Sequence, residues 1–296
     1  MQKSLKATLW MLLAAGTMGL TQVFLRKADF QGDEAAYQLS AFKYALTIIG
    51  ISVFFLWLRK PPRLPERSEW LPLAAFGFSD AAATILLFIG SLRLPLAINS
   101  VLSDLHVLIT PLLLAAMRVE KVTGLQYISV AMGMLGAALI TGADTTSGGL
   151  SWAMTVPLAA AALWCISALA ARKITHLPKT YPQLSVAIAG VITAIISLAV
   201  QDPTLKLTPG DAGMFTIGVT LAIVSQVCFV LSMTSGDIVA ALAGIPAYAF
   251  FGAVFGYTFF GEALTRNQVL GALTLLIGLL IFTYEKEIGT RKLPYS

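Results

Sequence analysis

Hydrocarbon offers a chain no hydrogen bonds, so a sequence that enters a bilayer repeatedly can cross it only as helices or as a closed barrel. This one has ten apolar stretches, at 5–25, 39–58, 71–92, 96–117, 125–141, 153–171, 184–200, 212–233, 238–260 and 268–284. Each is near the ~20 residues that a helix needs to cross about 30 Å of lipid core, and about twice the length of a barrel strand. The expected fold class is therefore all-α and integral to the membrane, with ten transmembrane helices. A chain of 296 residues that is 57% hydrophobic and 12% charged has no length left for a soluble domain.

The net charge of +5 would suggest nucleic acid on a soluble protein. Here it reads as basic residues holding loops on the cytoplasmic side, with no nucleic-acid partner. With both termini placed inside, Lys3, Lys6, Arg59, Lys60, Arg63, Arg67, Arg118, Lys121, Arg172, Lys173, Lys179, Lys286, Arg291 and Lys292 fall on the inner side, 14 of the 20 Lys and Arg. Arg26, Lys27, Lys43, Arg93, Lys206 and Arg266 make up the outer half. Both termini are expected in the cytoplasm and the protein in the cytoplasmic (inner) membrane. Lys3 and Lys6 imitate the start of a signal peptide, but the apolar run reaches Leu25 and ends in Arg26 and Lys27 without a clear cleavage site. It is read as the first helix. Cys165 and Cys228 both lie inside spans, so neither a disulfide framework nor a Cys/His metal site is indicated.

Laid on itself with an offset of 142 residues, the chain pairs Trp10 with Trp152, Glu120 with Glu262, Thr123 with Thr265, Gln126 with Gln268 and Gly136 with Gly278. The shift carries spans one to five onto spans six to ten. Five is odd, so two such halves face opposite ways, and two inverted five-helix repeats are a transporter architecture. The expected organisation is a first repeat at 1–142, a joining loop at 143–151 that contains Ser147-Gly148-Gly149, and a second repeat at 152–296.

Each half ends similarly. Pro111-Leu112-Leu113, then Val119-Glu120-Lys121-Val122-Thr123 and a span through Gly133 and Gly136, is repeated as Gly261-Glu262-Ala263-Leu264-Thr265 followed by Gly271 and Gly278. This pattern resembles the fourth and fifth helices of the drug/metabolite transporter superfamily, EamA type, over nearly the whole chain. Val119 stands where the family often has Gly, and Lys43 where its second helix often carries Arg. The resemblance implies a carrier of amino acids, nucleotide-linked sugars, cofactors, choline or drugs. Fold-level likeness does not choose among them.

The site residues come from polar groups placed where lipid is expected, because a charge at a helix centre costs roughly 2.5–3.5 kcal/mol on insertion scales. Counted at 100° per residue from Asn99 along a continuous fourth helix, Ser103, His106 and Thr110 share its face, with Ser100 and Asp104 alongside. Interhelical hydrogen bonding is the competing use of the small polar residues. Asp80 on span three and Asp104 on span four both sit near the midplane, which suits proton coupling, capture of a cationic group, or structural pairing with His106 or Lys43. Lys43 either snorkels to the outer interface or faces the cavity. Gln226, Tyr248, Tyr44, Tyr257 and Trp164 are candidate lining residues. Trp57, Trp70 and Trp152 are expected as interface anchors, Arg26, Lys27 and Arg93 as loop anchors, and Glu120 and Glu262 in helix-terminal structural roles. Ala241, Ile245, Pro246 and Tyr248 pair with Asn99, Ser103, Asp104 and His106, so the site is chemically asymmetric. Gly244, Gly252 and Gly256 mark span nine as close-packed or bent.

The function expected is a secondary transporter that exports or exchanges small polar organic metabolites, most of all amino acids, by alternating access about spans three, four, eight and nine. A zwitterion would set its ammonium on Asp80 or Asp104 and its carboxylate on Lys43, and His106 would relay a proton. Membrane lipids, the solute and protons as coupling ion are the expected partners, with the chain a monomer or homodimer and no cofactor or resident metal. The alternatives are an integral membrane enzyme using the midplane Asp and His residues, a channel, or a carrier of drugs, cations or nucleotide-linked sugars. The sequence has no His-Glu-x-x-His, nucleophile elbow or phosphate loop to support an enzyme, and no ATP-binding segment.

Overall fold

The structure is a computed structural model that describes residues 2–27, 34–58, 65–117, 124–142, 152–174, 176–178, 180–201, 209–233 and 246–291. Among these it contains helices and no strand. The helices are α1 (Gln2–Lys27), α2 (Glu34–Leu58), α3 (Trp70–Arg93), α4 (Leu96–Ser103), α5 (His106–Ala116), α6 (Gly124–Gly142), α7 (Trp152–Lys173), α8 (Thr180–Gln201), α9 (Pro209–Met233), α10 (Pro246–Phe260) and α11 (Arg266–Arg291). Helix is found in each predicted span, in span four as two helices and in span nine from Pro246 on. The joint at 143–151, the motif at 119–123, Gly244, Ala241 and Ile245 lie outside the described residues.

Leu9–Lys27, Trp70–Arg93, Trp152–Ala171 and Ala212–Phe229 are long and apolar enough to cross a membrane. Leu71, Ile49, Ile196 and Leu280 stand on the outside of the bundle at 79%, 57%, 60% and 58% exposure. An apolar exterior of this kind matches a solvent of acyl chains. Trp70 and Trp152 are exposed too, as anchors at an interface would be. The side chain of Trp57 is outside the described set.

The strongest contacts run between the first five spans and the last five. α1 packs on α9 and α10, α2 on α8 and α9, α3 on α7 and α8, α4 on α10 and α7, and α6 on α11. Small residues permit the close approaches. A Cβ at Gly252 of α10 would stand 2.8 Å from Ser100 Oγ and 2.9 Å from Leu96 O on α4, so span nine uses its glycine for close packing.

Span four differs from expectation. The stretch 96–117 is not one helix but two, α4 and α5, meeting at Asp104 and Leu105. No proline lies at the junction. His106 Nδ1 bonds Ser103 O at 2.9 Å, and the Val107 amide bonds Asp104 O at 3.0 Å, one residue short of a helical partner. The Leu105 and Leu108 amides likewise bond Leu102 O and Leu105 O, three residues back. A side chain thus occupies the carbonyl that the α-helical ladder would use, and the backbone tightens into a 3₁₀ turn. Angles counted at 100° per residue therefore hold only as far as Ser103.

The Gly261 to Thr265 motif is a set of end-fittings. Gly261 takes φ +64, the left-handed conformation that stops α10. Glu262 pairs with Arg26 at the end of α1 and accepts from the Leu96 amide at 2.8 Å, the first turn of α4. Gly256 leaves room for this carboxylate, since a Cβ there would collide with it. Thr265 and Gln268 then cap α11 reciprocally: the Thr265 amide donates to Gln268 Oε1 at 3.0 Å and the Gln268 amide to Thr265 Oγ1 at 3.3 Å. Arg26 also lies over Phe260, and Lys27 over Phe259, at 4.3 and 4.7 Å from the ring centroids.

Candidate functional site

The break in span four opens onto a cavity of about 50 Å³. Its wall consists of Met18 on α1; Asp80, Thr84 and Leu87 on α3; Ser100, Ser103, Asp104 and His106 at the break; Trp164 on α7; Ser225, Gln226 and Phe229 on α9; and Tyr248 on α10. The volume holds a few waters, well short of the roughly 300–1,000 Å³ of clefts that bind drug-sized ligands. As it stands, the cavity has to widen to admit a solute larger than a few waters.

One side of this interior is an internally closed charge relay. Lys43 is fully buried, with Nζ 4.5 Å from the centroid of the Tyr44 ring. It donates to Gln226 Oε1 at 3.1 Å, and Gln226 Nε2 donates to Asp80 Oδ2 at 3.3 Å. An amide has one accepting and one donating end, so between a cation and an anion it satisfies both in only this orientation. The indole of Trp164 adds a weaker hydrogen-bonding interaction to Asp80. Lys43 neither lines the cavity nor snorkels: its ammonium is directed inward onto Gln226.

The other side is unbalanced. Asp104 is 4% exposed, and its Oδ2 has no hydrogen-bond partner among the described residues. An isolated carboxylate out of water is expensive unless something pairs with it. His106 lies close by on the same wall. Its Nδ1 contacts the Ser103 carbonyl, which can only accept, so Nδ1 carries the proton and Nε2 is the accepting nitrogen. Its ring is 5.2 Å from that of Trp164, tilted by 47°.

Of the residues named from sequence, the cavity gathers Asp80, Asp104, His106, Ser103, Gln226, Tyr248 and Trp164. Asn99 is not in the wall. It is fully buried and donates to Leu87 O at 3.0 Å and to Gln22 Oε1 at 3.4 Å, tying α4 to α3 and α1. Tyr44 is buried behind Lys43, and Tyr257, at 71% exposure, faces outward. Sequence reading missed Met18, Thr84, Leu87, Ser225 and Phe229. Ser225 had a signal as the polar neighbour of Gln226, whereas Met18, Leu87 and Phe229 look like any apolar residue of a span. Among the described residues no three His, Cys, Asp or Glu side chains gather as a metal site would require.

Residues 5–142 match the EamA-like transporter family. These five spans are an EamA-like unit of the drug/metabolite transporter superfamily. A crystal structure described simply as that of a protein has a TM-score of 0.67 to this chain at 15% identity, covering 95% of this chain and 98% of the other. At that identity the likeness is one of fold, and it extends over both halves. No curated protein matches the chain. The EamA-like unit contributes Met18, Asp80, Thr84, Asp104 and His106 to the cavity. Trp164, Gln226 and Tyr248 come from the part beyond it. The match over residues 5–142 and the apolar helices together indicate a multi-pass membrane protein.

Proposed function

We propose that this EamA-like protein is a secondary transporter that moves small polar organic solutes by alternating access, with the repeats at 1–142 and 152–296 rocking about the cavity. The observation that carries this reading is the packing pattern. Carry the first five spans onto the last five, α1 to α7, α2 to α8, α3 to α9, α4 and α5 to α10, and α6 to α11. The pair α1·α9 then becomes α7·α3, α2·α9 becomes α8·α3, and α1·α10 becomes α7·α4, while α2·α8, α4·α10 and α6·α11 map onto themselves. Every one of these pairs is present. A contact scheme that survives exchange of the halves supports an inverted repeat, and an inverted repeat provides two near-equivalent closures around one site.

The break at Asp104 belongs to the same logic. Discontinuous helices at the midplane are where such folds place substrate, because irregular backbone is tolerated only where it lines a cavity. Amine-bearing metabolites suit the acids of the wall, amino acids through their ammonium group alone, and protons suit them as coupling ion, with His106 as relay. The termini belong in the cytoplasm and the chain in the cytoplasmic membrane on the strength of the basic residues.

Purified protein in liposomes tests the reading. Saturable counterflow of an unmodified solute is expected, whereas conversion of the solute would make the protein an enzyme and non-saturating flux a channel. Single cysteines at Glu66 and Lys173 should label from the opposite face to one at Arg266. Labelling of all three from one face would remove the inverted repeat.

A further inference from the structure

Three hydroxyls of the wall are committed as donors, and two of its acceptors are open. The hydroxyl of Thr84 donates to Asp80 O at 2.9 Å, that of Ser103 to Asn99 O at 2.7 Å and that of Ser225 to Ala14 O at 2.8 Å. The amide of Gln226 gives one of its two hydrogens to Asp80. Against these stand Asp104 Oδ2, buried without a partner among the described residues, and the accepting nitrogen of His106. Such a wall binds a ligand that brings hydrogens.

Among the described residues, a carboxylate in the ligand would meet no cation in the wall. Lys43 is fully buried, outside the lining, and donates to Gln226. The N-terminus of α5, a half-helix that could otherwise serve as an anion site, is closed as well. The amides of Val107, Leu108 and Ile109 at the start of α5 bond Asp104 O, Leu105 O and Leu105 O, each at 3.0 Å. Lys43 answers Asp80 through Gln226, whereas Asp104 shares the wall with the aromatic side chains of Trp164, Phe229 and Tyr248 and has no cation beside it among the described residues.

Resting on the transporter reading, we propose that the cargo is a protonated primary or secondary amine without a carboxylate, held by donation of its N–H to Asp104 Oδ2 and His106 Nε2. A zwitterionic amino acid leaves its carboxylate buried and unmatched, and a quaternary ammonium has no hydrogen to give. An uncompensated buried charge is severe enough to translate into a preference of about 100-fold for the amine over its carboxylated counterpart.

The test uses four probes of one shape: isoamylamine, leucine, 4-methylpentanoate and the trimethylammonium derivative of isoamylamine. Binding to the purified full chain is followed by calorimetry, and counterflow is measured in liposomes. Isoamylamine is expected to bind and exchange about 100-fold more tightly than leucine or 4-methylpentanoate, and more tightly than the quaternary probe. Asp104→Asn should abolish its binding, and His106→Phe should weaken it. In the unaltered protein, isoamylamine but not leucine should protect Asp104 from a carbodiimide, read by mass spectrometry, so the proposal stays testable even where Asp104→Asn does not fold. Binding of leucine or the carboxylate as tight as that of isoamylamine, no binding of isoamylamine, or its retention by a folded Asp104→Asn protein overturns the proposal. Leucine counterflow would do so while sparing the transporter reading. Isoamylamine that binds at Asp104 but does not exchange would spare the site and sink the transporter.

Discussion

Replacing Gln226 by Leu removes the amide that joins Lys43 to Asp80 while nearly preserving volume. Two hydrogen bonds to charged groups are lost, at 3.1 and 3.3 Å, from side chains that are 0%, 6% and 2% exposed for Lys43, Gln226 and Asp80. At about 1.5–3 kcal/mol each, the loss sums to about 3–6 kcal/mol. Part returns if the ammonium swings toward the carboxylate, so the lower end is the realistic figure. With about 2–4 °C per kcal/mol for domains of 150–250 residues, and less for a longer chain, the expected fall in apparent Tm is about 5–10 °C. The assay is thermal unfolding of the purified protein in detergent, run as a cycle. In a Lys43→Met, Asp80→Asn background, Gln226→Leu should cost under about 1 kcal/mol, because no charge remains to be orphaned. An equal fall in both backgrounds would show that Gln226 contributes packing alone, and the charge relay would have to be abandoned.

The glycine and carboxylate contacts at α4 give two further tests. Gly252→Ala puts a Cβ within 2.8 Å of Ser100 Oγ and 2.9 Å of Leu96 O, and should lower stability by about 1–3 kcal/mol, whereas Gly50→Ala, with nothing within 4 Å, should be neutral or gain up to about 1 kcal/mol of helix propensity. Paired thermal melts in detergent decide it, and equal shifts would remove the close-packing argument. Glu262→Gln keeps an acceptor for the Leu96 amide but loses the charge of the Arg26 pair, whose partners are 23% and 13% exposed, and should cost about 1 kcal/mol; Glu262→Ala, which loses both, should cost about 2 kcal/mol or more. The same stability for both variants would mean that the loop after α10 does not tie α1 to α4.

The large-scale plan was legible in the chain because the bilayer imposes it locally. Apolar runs near the span length predict helices one at a time, without reference to neighbours, and helix is found in each expected span, although span four is divided into two. Asp80, Asp104, His106 and Gln226 could be singled out for a related reason: a polar group inside a span is anomalous whatever surrounds it. One end was readable too: Glu262 was expected in a helix-terminal structural role, and it binds the Leu96 amide at the start of α4 and pairs with Arg26 at the end of α1.

What the tertiary structure decided is how those polar groups divide between scaffold and site. Lys43 was equally compatible with snorkelling and with the cavity until Gln226, 183 residues away, took its hydrogen bond and passed it to Asp80. Asn99 shares the helix and the chemistry of Ser103, yet it spends its amide on Leu87 and Gln22. The 3₁₀ turn at Asp104 needs His106 to reach back to Ser103, a choice of rotamer that no pattern of residue types announces. Membrane insertion responds to each residue against lipid, so sequence determines which groups are out of place there. Whether a group is paired depends on donors and acceptors brought together by packing, and only the folded bundle leaves Asp104 with an oxygen unanswered.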